Sequence, residues 1–144
     1  VPRSAFQRCC QGGFRGDAAG SQKQYGFLIP AESENCDTVE IYEAPIDAMS
    51  GATLRQYKHD APWRSVHYLA LVAEHQPIDY FLQQHPEVNA WHFALTVMNP
   101  AGFTKIVAKG LTERGYIVQD TPPAIGKDYN DYLLAARRLI SMER

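Results

Sequence analysis

The chain has 144 residues and a mass of 16.2 kDa, enough for one domain with a real core and too little for two full ones. At 45% hydrophobic, 11% aromatic and 21% charged it has the composition of an ordinary globular domain, which excludes disordered, collagen-like and disulfide-scaffold classes. The net charge of −2 conceals an asymmetry: residues 1–30 sum to +3, residues 31–60 to −5, and the remainder balances.

The opening 30 residues are punctuated by Gly12, Gly13, Gly16 and Gly20, and within them only residues 25–29 (YGFLI) read as a strand. They are expected to form a small Gly-rich antiparallel or loop-rich extension, residues 1–37, packed on a core domain of residues 38–144. Residues 39–42 (VEIY) predict the first core strand, and residues 45–58 a helix opened by a proline in its first turn. A nearly continuous apolar strand follows at 66–72, a short helix at 77–84, and a third strand at 91–97 (WHFALTV), in which Trp91, His92 and Phe93 are expected in the core, as is Met98. Residues 100–114 predict a helix closed by Gly115, residues 116–118 a strand, and residues 128–142 a final helix after the Pro122-Pro123 break. Apolar strands separated by helices of this length indicate a parallel sheet of about four strands covered on both faces, an α/β fold.

No apolar run approaches the roughly 20 residues of a membrane span. No secretory pattern follows Val1-Pro2-Arg3-Ser4, so a cytoplasmic protein is expected. Cys9, Cys10 and Cys36 form no paired framework and suggest reduced thiols. His59, His67, His75, His85 and His92 show no HxxxH spacing, so no zinc signature is present.

In open α/β sheets ligands bind beyond the carboxyl ends of the strands. Here that rim comprises the segments around Glu43, Glu74-His75, Asn99 and residues 120–128. Glu43 follows the first core strand directly, near a helix start that favours an anion, and suits either a metal ligand and general acid or a cap of the following helix. Asp47, one turn on, lies either on the rim or on the helix surface. Asp128 could meet a metal and Lys127 a phosphate, or Asp128 could simply cap the final helix. His75 is a possible acid or base.

Residues 43–50 (EAPIDAMS) resemble the first motif of Toprim domains, the fold shared by bacterial primases, topoisomerases and several nucleases. Residues 99–102 (NPAG) are similar to the tail of the second motif, and residues 126–133 (GKDYNDYL) to the closing GKD(Y/W)N(E/D)xL segment of Toprim domains in plasmid and mobile-element primase-like proteins. Residues 5–27 are similar to the segment preceding Toprim in that group. The resemblance implies a Toprim-like sheet, Glu43 as the retained acid, and an Asp-x-Asp magnesium pair falling on Val97 and Asn99. Valine offers no donor and asparagine only a neutral carbonyl, and Val72-Ala73-Glu74-His75 replaces the group's usual glycine pair. The implied function is therefore a nucleic-acid-associated module of a bacterial mobile-element or plasmid protein, cut from a longer chain and without conventional magnesium-dependent catalysis. No resident cofactor is implied, magnesium being the ion any surviving activity would use. A metal-dependent nucleotidyltransferase or nuclease using Glu43 with atypical ligands, and a protein-interaction module, are the alternatives. Single-stranded or primer-template DNA or RNA would meet Arg8, Arg15 and Lys23, interleaved with Phe6, Phe14 and Tyr25.

Overall fold

The computed structural model describes residues 7–9, 15–17, 19–58, 62–71, 76–95 and 103–142. Two short strands, β1 (Gln7–Cys9) and β2 (Arg15–Asp17), pair antiparallel as a separate hairpin. After a 3-10 turn at Lys23–Tyr25 come β3 (Phe27–Ile29), β4 (Thr38–Tyr42), α1 (Pro45–Lys58), β5 (His67–Ala70), α2 (Gln76–Gln84), β6 (Ala90–Phe93), α3 (Phe103–Glu113), β7 (Ile117–Asp120) and α4 (Tyr129–Met142). Strands β3 to β7 form one sheet in the order β3-β5-β4-β6-β7. Four of them run parallel, and β3, drawn from within the expected N-terminal extension, adds an antiparallel edge against β5. The fold is α/β, as the alternation of apolar strands and helices requires.

Side-chain parity along the strands sorts the core into two layers. Val39 and Ile41 of β4, Leu69 and Leu71, and Trp91 and Phe93 face one side, where Ile78, Phe81 and Leu82 of α2 and Leu111 of α3 cover them. Tyr42, Tyr68, Ala70 and Ala94 face the other side, beneath Ala48 and Ala52 of α1 and Tyr129 of α4. Small residues on α1 let it approach the sheet closely. A Cβ at Gly51 would overlap the Tyr42 hydroxyl, so only glycine fits there.

Several expectations need adjusting. His92 is half-buried rather than core, because parity turns it to the α1 and α4 side beside Glu40, away from Trp91 and Phe93. The expected strand at 66–72 is regular only over His67–Ala70, and that at 91–97 only over Ala90–Phe93 among the described residues. The last strand begins one residue late and runs on to Asp120 as an exposed edge. Met98 lies outside the described residues. Among the described residues no helix is long and apolar enough to cross a membrane.

Candidate functional site

Strand β4 lies between β5 and β6, so the connection leaving its carboxyl end for β5 and the one leaving β6 for β7 run in opposite directions. In open parallel sheets such a reversal opens the crevice where ligands sit. Glu43, exposed, stands at this edge one residue after β4. Pro45 opens α1, and the Ala44 carbonyl accepts the first helical bonds from Asp47 and Ala48 N–H.

Three further carboxylates converge on the same rim. Asp47 is buried, not on the helix surface, and its Oδ1 accepts the Asn130 N–H at 3.2 Å. Burial pushes its carboxyl above the usual carboxylate range; the neighbouring Asp128, Glu43 and Asp131 charges push the same way, and the Asn130 N–H opposes them. Asp128 caps α4, its Oδ1 accepting the Asp131 N–H at 2.8 Å. Asp131 returns the favour by accepting the Lys127 N–H at 3.4 Å, a reciprocal arrangement close to a capping box. Lys127 is exposed, with Nζ 4.0 Å from Asp128 Oδ2. Glu43, Asp47 and Asp128 are thus brought together as the rim requires, while Asp131 escaped the sequence reading. An acid three residues after a capping Asp was the signal that could have found it.

The GKDYND segment reads as a docking device for α4. Gly126 has φ +81°, in the left-handed region, and a Cβ there would collide with Asp131, so glycine alone permits the turn. The Tyr129 hydroxyl donates to the Thr121 carbonyl at 2.7 Å, and its ring meets Tyr42 edge-on at 5.2 Å. Lys58 of α1 lies over the Tyr132 ring, 5.1 Å from its centroid. Beneath these contacts is a cleft of about 210 Å³ lined by Glu40, Tyr42, Arg55, Lys58, Tyr129 and Tyr132 among others. At its floor the Tyr42 hydroxyl donates to Glu40 Oε2 at 2.7 Å and Arg55 pairs with Glu40 Oε1. Glu40 was not foreseen as anything but a strand residue. Its neighbours Val39 and Ile41 face the opposite layer, so parity alone puts a carboxylate under α1, where Arg55 must answer it.

Glu74, His75, Val97 and Asn99 lie outside the described residues, as do the side chains of Arg8, Arg15 and Lys23. Tyr25 is half-buried and meets Tyr80 at a T-shaped contact with ring centroids 4.8 Å apart, so part of its ring is engaged within the fold. Among the described residues no three rim acids gather their oxygens within 4.8 Å of one another, the spread within which three donors could close on one ion. Hydrogen bonds at the start of α4 therefore organise Asp47, Asp128 and Asp131 on this rim. No protein-family model matches the sequence, and no curated protein matches it.

Proposed function

We propose that the chain is a Toprim-like, nucleic-acid-associated module of a mobile-element or plasmid protein that has lost magnesium-dependent phosphodiester chemistry. The observation that carries this reading is how the rim acids are used. Asp47, Asp128 and Asp131 each accept a backbone N–H at the start of α4, so three of the four rim acids hold that helix in place. Magnesium demands near-octahedral oxygen ligation and relies on carboxylates together with substrate phosphates. With three rim acids engaged at the start of α4 and Val97 and Asn99 at the pair positions, the rim supplies too little charge to hold it. The parallel sheet, with Glu43 ending a central strand and the GKDYND segment folding back beside it, supports the Toprim part of the reading.

Nucleic acid would be met by the Gly-rich N-terminal segment, whose Arg8, Arg15 and Lys23 neutralise phosphates while Phe6 and Phe14 stack on unpaired bases. Fluorescence anisotropy on single-stranded, duplex and primer-template DNA at two salt concentrations tests this. The double variant Arg8→Glu, Arg15→Glu should weaken single-strand binding and flatten its salt dependence, by about 0.7 in log–log slope per lost phosphate contact. Unchanged affinity would reject the nucleic-acid role. No binding by the wild-type chain would favour a protein-interaction module instead.

A further inference from the structure

At the opposite edge of the sheet, where the parallel strands begin, His67 opens β5 and the chain leaving α2 returns past His85 and Glu87. One ligand atom from each of these three side chains lies within 4.8 Å of the other two, the one such set among the described residues. His67 is 3% exposed, its ring 4.5 Å from that of His85 and edge-on to Phe81. Its Nδ1 accepts the Ala31 N–H at 3.1 Å, but its Nε2 is buried without a hydrogen-bond partner. A buried polar atom left in this state is uncommon and calls for an explanation. His85 Nδ1 and Glu87 Oε1 are 3.1 Å apart, and these two side chains keep 24% and 28% exposure, so the cluster opens to solvent on one side.

We propose that His67, His85 and Glu87 form a zinc(II) site, with His67 Nε2, one His85 nitrogen and a Glu87 oxygen as protein ligands and water in the fourth position. Two imidazoles and a carboxylate are the donor types of open tetrahedral zinc sites, and the Glu87 charge offsets part of that on the ion. In the metal-free state the Ala31 N–H on Nδ1 places the His67 ring proton on Nε2. Zinc takes Nε2 only as that proton moves to Nδ1 and the Ala31 contact opens, so the site is linked to the turn that joins β3 to β4. This inference is independent of the Toprim reading, since it lies at the other end of the strands.

Titration of zinc chloride into the untagged, chelator-stripped chain by calorimetry should show one ion per chain. His85→Ala and Glu87→Gln alter half-exposed side chains and should melt with the metal-free wild type while weakening zinc binding by more than about tenfold. Cobalt(II) on the wild-type chain should give the strong visible absorption of tetrahedral coordination, a readout that needs no variant. The Ala31 amide should shift and exchange faster in the zinc-loaded protein. Absence of saturable binding, retention of full affinity in either variant, octahedral cobalt absorption, or an unmoved Ala31 amide would each overturn the assignment.

Discussion

Replacement of Asp47 separates a structural carboxylate from a metal-binding one, because its two nearest substitutes make opposite predictions. Asp47→Asn keeps an Oδ1 acceptor for the Asn130 N–H and removes a charge that sits buried among Glu43, Asp128 and Asp131. Asp47→Ala removes the acceptor and leaves the Asn130 N–H unpaired near the start of α4, at a cost of about 1–3 kcal/mol. At this chain length each kcal/mol moves Tm by roughly 2–4 °C, so Asp47→Ala should melt about 2–12 °C lower than wild type. The asparagine variant should melt at or above the wild-type temperature at pH 7. The pH dependence carries a sign as well. Burial holds the folded carboxyl above its unfolded value, so its contribution is complete below the unfolded carboxylate range and declines as pH rises through the folded value. Urea unfolding of wild type and Asp47→Asn from pH 4 to pH 8 should therefore show the variant gaining relative stability as pH rises. An asparagine variant less stable than wild type at pH 7, or a difference that shrinks with rising pH, would refute the argument.

Other consequences follow from the same contacts. Glu40→Gln strands the Arg55 guanidinium in the cleft floor and should cost about 2–4 kcal/mol in urea unfolding, less than a fully buried pair because Arg55 keeps 26% exposure; a loss under about 1 kcal/mol would show that the pair is screened. Gly126→Ala forces a left-handed backbone onto a residue with a Cβ and drives that Cβ into Asp131, so α4 should loosen, with a loss of at least about 1–2 kcal/mol and faster amide exchange across its first turn. Gly51→Ala should be worse tolerated than any other alanine substitution on α1, since the Tyr42 ring has to move; a near-neutral melt would contradict the packing.

Local signals carried the helices well. Pro45 and Lys58 bound α1 at the predicted ends, and the capping Asp128 marks where α4 starts. Strand order was not legible, because periodicity along the chain says which residues face a core and nothing about which strand lies beside which. That is why β3 joining the sheet against β5, and β4 rather than β5 lying next to β6, emerge only in three dimensions. The edge strand β7 was shortened for a related reason: its exposed Ile117 and polar Gln119 and Asp120 lack the apolar run that marks a central strand. At the site, Glu43 and Asp128 were legible from their positions against helix starts. Asp47 as a buried acceptor was not, since its partner is 83 residues away. The His67, His85 and Glu87 cluster was equally hidden, as a strand start and a helix exit share no motif spacing.

The proposed loss of divalent-ion binding at the Glu43 rim is tested most directly by titrating magnesium chloride calorimetrically into the wild-type chain and into Glu43→Gln. The two titrations should be indistinguishable, with no saturable heat that depends on Glu43. Saturable magnesium binding by the wild type that disappears in Glu43→Gln would contradict the account.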